Sequence, residues 1–169
     1  MGARFSHQHT RLNYPTVKYE WCYAKTTHEG SPGVDVYKHC VIAGHVARAL
    51  IRHLPTPLQE AIQVDAGLVA ALHDVGKVSP GYQLKYFREH LKQICPELAA
   101  ETLTNFESDH ACVSEAAICQ KLGVKYWDDV RAGFARIAGC HHGGGKEVGV
   151  NSDTGRYLAV FPGARSVRG

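Results

Sequence analysis

Apolar and polar positions fall into helical periods from Asp35 onward and into none before it. His39, Ala43, Val46, Ala47 and Leu50 recur at i, i+4, i+7, i+8 and i+11, predicting an amphipathic helix with that stripe turned inward. Pro55 and Pro57 end it. A second helix is predicted over 58–74, apolar at Ile62, Gly67, Leu68, Val69 and Leu72, with Gly76 as its terminator. Ser79-Pro80, a serine cap with proline in the first turn, opens a third that runs to about residue 94. A short helix is expected within 96–104. Ser108-Asp109 caps the next, which Gly123 closes, and 128–139 forms another. Residues 1–34 read as irregular, with Trp21 and Tyr23 packing back on the body, and 143–169 carry no helical period. Without a repeat or a strand alternation, the expected class is all-α: one domain over 1–169, a bundle of about five to seven helices with irregular terminal segments.

Composition narrows this picture little. The chain is long enough to bury a core, and 44% hydrophobic with 21% charged residues is ordinary for a globular domain. No stretch approaches the roughly 18 apolar residues of a membrane span, and Met1 to Arg11 are too polar for a signal peptide, so a cytoplasmic protein is expected. Six cysteines without a Cys-x-x-Cys pairing, four of them in helical apolar patterns, read as small buried hydrophobes rather than a disulfide frame. A net charge of +3 permits an anionic substrate without demanding one.

Eleven histidines change the picture through their placement. His73-Asp74 ends an apolar run. Neighbours on a helix diverge by about 100°, so both can lean into one pocket only where the helix finishes and the backbone bends. Imidazole offers a neutral nitrogen and carboxylate a hard oxygen, and the two carboxylate oxygens can serve two cations. His39 lies on the inward stripe of the first helix, His110 opens a later one, and His141-His142 closes the last before Gly143-Gly144-Gly145. Any one of these could be a hydrogen-bonded core residue or a partner of a helix dipole. Together, five histidines and an aspartate at helix ends or on a core stripe would be costly to bury without a common partner, and a metal is such a partner. His45 should face away from His39, and His53 lies about 21 Å further along the axis. His7, His9, His28 and His90 read as surface residues.

His73-Asp74-x-Gly-Lys77, then Ser79-Pro80-Gly81-Tyr82-Gln83, with the preceding His39, with Asp109-His110 and with Gly139-Cys140-His141-His142-Gly143-Gly144, resemble the HD-type nuclease domain of the CRISPR-associated helicase-nuclease of type I systems. Tyr23-Ala24-Lys25-Thr26 resembles that domain's opening motif, which usually has His-Ser after Tyr-Ala. The similarity runs over roughly 20–145. The His-Asp pair belongs to the whole HD phosphohydrolase superfamily; the Gly-Lys-x-Ser-Pro-x-x-Gln run with His-His-Gly-Gly is far more specific.

The resemblance implies an HD-domain helical bundle and two divalent transition-metal ions (Mn, Fe, Ni or Co, with Mg as an alternative) bridged by Asp74. His39, His73 and Asp74 would hold one; Asp74, His110, His141 and His142 the other. Asp74, His73 and Lys77 would be the catalytic residues, Lys77 contacting the substrate phosphate. The implied activity is endonuclease and exonuclease cleavage of single-stranded DNA in prokaryotic antiviral interference, with a helicase and a guide-RNA surveillance complex as partners and no membrane. Family members carry a further aspartate well downstream of the double histidine. Asp153 is the only aspartate in 143–169, in a loop-like Asn-Ser-Asp-Thr run, so either it stands in, or the domain is C-terminally shortened, or the first metal is weakly bound. Lys85, Arg88 and Lys92 are the candidate nucleic-acid contacts, each equally readable as a solvated helix face. Two rivals share these residues: an HD phosphohydrolase acting on nucleotides or cyclic nucleotides, and a catalytically silent docking module.

Overall fold

The computed structural model describes residues 18–62, 64–101, 109–123 and 130–143. They are helical, with no strand among the described residues: α1 (Val36–Arg52), α2 (Thr56–Ala61), α3 (Ala66–Leu72), α4 (Pro80–Ile94), α5 (Pro96–Ala99), α6 (His110–Leu122) and α7 (Val130–Gly139). The all-α bundle is therefore the fold. The expected tail, Asp153, His7, His9, Ser108 and 128–129 lie outside the described residues.

Local chemistry accounts for the helix starts. Asp35, Asp65, Ser79 and Asp109 each accept backbone N–H groups from the first turn they precede, supplying partners those amides otherwise lack. The Asp65 cap corrects the single helix expected over 58–74. The chain leaves α2 at Ala61 and starts again at Ala66, because the aspartate side chain competes for the amides of a new turn. Gly123, at φ 64°, ends α6 in the left-handed region. Within α4 the backbone departs from helical angles at Phe87 (φ −131°, ψ 23°).

The opening segment is more ordered than an irregular reading suggests. A 3₁₀ turn, Tyr19–Trp21, leads into a narrow loop closed by isolated antiparallel bridges between Tyr23 and Asp35 and between Thr26 and Pro32. Cys22 and Ala24 are buried against Val36, and the Gln83 amide accepts from Tyr23 N (3.2 Å) and donates to Tyr23 O (2.9 Å). Tyr23 does pack back, against Phe87 and edge-on against His90, which is half-buried there rather than a free surface residue.

The α1 stripe also needs correction. Val46 and Leu50 are exposed, while the side that packs on α3 carries Ala43, Gly44 and Ala47. A Cβ on Gly44 would lie 2.9 Å from Gly67 O and 3.0 Å from the Ala71 Cβ, so the two backbones approach as closely as glycine and alanine allow. Close approach, which only small residues permit, selects this face over the larger apolar residues. α6 packs on α7 and on the 3₁₀ turn (Val75–Val78) that follows Asp74, and α4 packs on α5 around Leu84, Leu91 and Leu98. All six cysteines are free thiols.

Candidate metal centre

The bend that lets His73 and Asp74 share a pocket is fastened to α6. α3 ends at Leu72, and Asp74 (φ −110°, ψ 12°) leads into the 3₁₀ turn. Gly76 N donates to Ser114 Oγ (2.8 Å), whose own proton can go to His73 O or His110 O, each at 2.9 Å. A side chain at residue 76 is not accommodated: a Cβ there would sit 2.1 Å from His110 O and 2.6 Å from Ser114 N. Gly76 is thus the point where the turn rests on the first residues of α6, which brings His110 to Asp74.

Asp74 is 2% exposed and stands at the middle of the centre. Its Oδ2 lies 2.8 Å from His39 Nε2, 3.0 Å from His73 Nε2 and 2.7 Å from Lys77 Nζ. Its Oδ1 lies 3.1 Å from His110 Nε2 and 3.3 Å from His141 Nε2. His142 Nε2 is 3.0 Å from His110 Nε2. The donor atoms form two compact groups, one of His39, His73 and Asp74 and one of His110, His141 and His142. The structure thus brings all six candidate ligands together. His28, His45 and His53 are exposed elsewhere.

Proton placement tests whether these groups fit cations. His73 Nδ1 and His141 Nδ1 each lie 2.6 Å from the carbonyl three residues earlier, Ala70 O and Ala138 O. A carbonyl can only accept, so each Nδ1 carries the hydrogen, and in the neutral ring Nε2 is a bare lone pair. Burial pushes the His141 and His39 pKa values down, which favours that neutral, ligating form. The His73 pKa is raised by the Asp74 carboxylate facing its Nε2, which favours a second ring proton when no cation is bound there, with burial opposing. For Asp74 burial works upward but is outweighed by the His110 and His73 rings and the Lys77 ammonium beside it, so the carboxyl is held far below the usual range and is ionised. At His141, therefore, a lone pair on Nε2 faces a lone pair on Asp74 Oδ1 across 3.3 Å. Asp74 Oδ1 and His141 Nε2 are buried without a hydrogen-bond partner among the described residues. Such orphans are expensive unless a cation lies between them. The donor set, imidazole with a shared carboxylate and backbone carbonyls orienting the rings, fits divalent metal.

Lys77 is buried, with Nζ on Asp74 Oδ2, 3.5 Å from Ala24 O and 5.5 Å from the centroid of the Tyr82 ring. Gln83 Nε2 also donates to Lys77 O (2.6 Å), so the Ser-Pro-x-x-Gln run ties the opening segment, the turn and α4 into one wall. Of the basic residues on α4, Arg88 Nη1 donates to the carbonyls of Ala99 and Glu101, and Lys92 pairs with Glu89. Lys85 Nζ lies over the Tyr86 ring at 5.0 Å.

Three residues that matter to this geometry carried little signal in sequence. Ser114 was visible only as a serine one turn after His110. Tyr82, buried edge-on to His110 at 5.1 Å, looked like part of a motif. Glu115 was visible only as an acidic residue just after the first turn of α6. It is buried against Gly139, with Arg136 Nη1 3.3 Å from Oε1 and with Oε2 lacking a hydrogen-bond partner among the described residues, directly behind the turn bearing His141 and His142.

A helical bundle whose helix ends converge as imidazoles on one shared aspartate defines a His/Asp metal-hydrolase domain. The chain belongs to the family described as Cas3, HD domain, whose family model matches residues 21–161. It is an HD-type nuclease domain of Cas3, the CRISPR-associated helicase-nuclease, a family of metal-dependent nucleases of CRISPR defence. The match contains every candidate ligand, Asp153 included, and extends past the roughly 20–145 of the sequence resemblance. No curated protein and no solved structure matches the chain. No helix among the described residues is long and apolar enough to cross a membrane.

Proposed function

We propose that the domain hydrolyses phosphodiester bonds of single-stranded DNA, as endonuclease and exonuclease, at a pair of divalent cations. The observation that carries this is the split of one carboxylate: Asp74 turns Oδ2 to His39 and His73 and Oδ1 to His110 and His141. His39, His73 and Asp74 would hold one ion, and Asp74, His110, His141 and His142 the other. Bound there, the ions would supply a hydroxide from water and a Lewis acid for the scissile phosphate. Imidazole-rich ligation favours Mn, Fe, Co or Ni, with Mg the oxygen-preferring alternative.

The chain's own residues orient and balance charge. The carbonyls of Ala70 and Ala138 fix the ring tautomers of His73 and His141. Lys77 holds Asp74 Oδ2 in place and keeps one positive charge beside the centre, where it can meet a substrate phosphate. His142 is exposed, and the other imidazoles are partly so, which favours a polymer laid across the centre over a free nucleotide enclosed in a pocket. Asp153, within the family match, is proposed as a further ligand of the three-donor group. In the cell the domain would act in the prokaryotic cytoplasm on a strand exposed by a guide-RNA surveillance complex and fed by a helicase.

The test is hydrolysis of circular single-stranded DNA against free and cyclic nucleotides in Mn²⁺, with bound metal measured in parallel. Cutting of the circle is expected, and Asp74→Ala should reduce it by about a thousandfold, since the metals contribute several kcal/mol to the transition state. Turnover of nucleotides alone would replace this reading with a nucleotide phosphohydrolase. Less than one metal per chain with no cutting would make the domain a docking module.

A further inference from the structure

α4 carries an aromatic run that begins at the metal centre and ends in solvent. Tyr82 is buried edge-on to His110, with ring centroids 5.1 Å apart. It is wedged from behind by Phe87 at 6.3 Å, and its hydroxyl donates to Ala24 O (3.1 Å). Tyr86 lies against it at 4.7 Å and is 50% exposed. Lys85 places its ammonium 5.0 Å from the Tyr86 centroid. Because Tyr82 touches both rings, Tyr86 lies within about 10 Å of His110, near enough for a nucleotide flanking a phosphate held at the centre. Tyr37 is also exposed, but among the described residues no ring contact leads from it to the centre.

Such an arrangement suits one kind of ligand. Tyr86 is a half-exposed tyrosine fixed against a buried neighbour, with the exposed Lys85 ammonium over its ring. Once that ammonium swings aside to a phosphate, the ring presents a preordered π-face, and every base can stack on it whatever its sequence. The adjacent ammonium adds a phosphate contact. A base inside a duplex is already stacked on both sides and cannot reach it.

We propose that Tyr86, with Lys85 beside it, is a stacking platform for the nucleobase next to the scissile phosphate, and that it selects unpaired nucleic acid. The inference rests on the nuclease reading above. It deepens that reading by naming the residue that recognises an unstacked base.

The experiment measures binding of the whole chain, in a chelator where no cutting occurs, to a fluorescent oligothymidylate and to an abasic oligomer of equal length. The wild type should prefer the oligothymidylate by about tenfold, the order expected for one stacked base. Tyr86→Ala should bring that ratio close to one, and Tyr86→Trp should restore it. Lys85→Ala should weaken both oligomers alike and leave the ratio standing. A ratio that survives Tyr86→Ala overturns the platform, as does a wild type that binds both oligomers equally. If the ratio behaves as expected and Mn²⁺ produces no cutting, the platform stands and the nuclease reading fails. If DNA is cut and the ratio ignores Tyr86, the reverse holds.

Discussion

α1 and α6 each deliver a histidine to Asp74, but they are held in different ways. Eight of the 13 residues of α6 are buried, from Ala111 to Cys119, with α7 on one side and the turn after Asp74 on another. Of the 17 residues of α1 only Val36 and Gly44 are buried, and Tyr37, Val41, Ile42, Val46 and Leu50 face outward. α6 is located by contacts around its circumference, α1 by one narrow seam of small residues on α3. The same requirement, an imidazole near one carboxylate oxygen, is met by enclosure in one case and by close backbone approach in the other.

Three sets of substitutions put that difference to the test. The largest effect is expected from Gly76→Ala, whose new methyl would collide with the α6 backbone. Overpacking against main chain costs on the order of 3 kcal/mol, read as a shift in the urea midpoint. Gly44→Ala, at the α1 seam, meets a carbonyl at 2.9 Å and a methyl at 3.0 Å and should cost less, about 1–2 kcal/mol. If Gly44→Ala proved the more damaging of the two, α1 rather than α6 would be the element on which the centre depends. Ser114→Ala comes next: it strands the buried Gly76 N–H, for an expected loss of about 1–3 kcal/mol by thermal melt. It should also loosen metal binding, because His73 and His110 lose their common anchor.

The smallest effect concerns Glu115, whose pKa is raised by burial, with Arg136 pulling against it. An acid with a raised folded pKa binds its proton more tightly folded than unfolded. Its contribution is therefore most favourable below the unfolded carboxylate pKa and declines as pH rises through the folded value. Relative to Glu115→Gln, wild-type stability should fall over that window, and Glu115→Gln should be at least as stable at neutral pH. Melts of both proteins between about pH 4 and pH 8 would decide it. A wild type that gained stability over the window relative to Glu115→Gln would mean the Arg136 pair outweighs burial.

Much of the centre was legible in the chain because the signals are local. His73-Asp74 at a helix end, Asp109 as a cap, Ser79-Pro80 as a start and the double histidine after Gly139 each follow from capping and turn chemistry within a few residues. The errors came where a residue's role depends on what lies opposite. Val46 and Leu50 matched a helical period that does not say which face meets a neighbour, and Asp65 sat in a pattern smooth enough to hide a new helix start. Ser114 and Glu115 are ordinary residues of α6 until the turn and α7 are laid against them.

By itself, then, the order of residues determined that this protein is helical, where most helices begin and end, and which imidazoles and carboxylate stand ready at those ends. These are short-range matters of periodicity and of amides seeking caps. Only the tertiary structure decided that Asp74 divides its two oxygens between two sets of histidines, that α1 turns its small side inward, and that Tyr86 stands open beside the centre. Distances of about 3 Å between atoms many residues apart are set by how backbones fit against one another, and no local pattern encodes that fit.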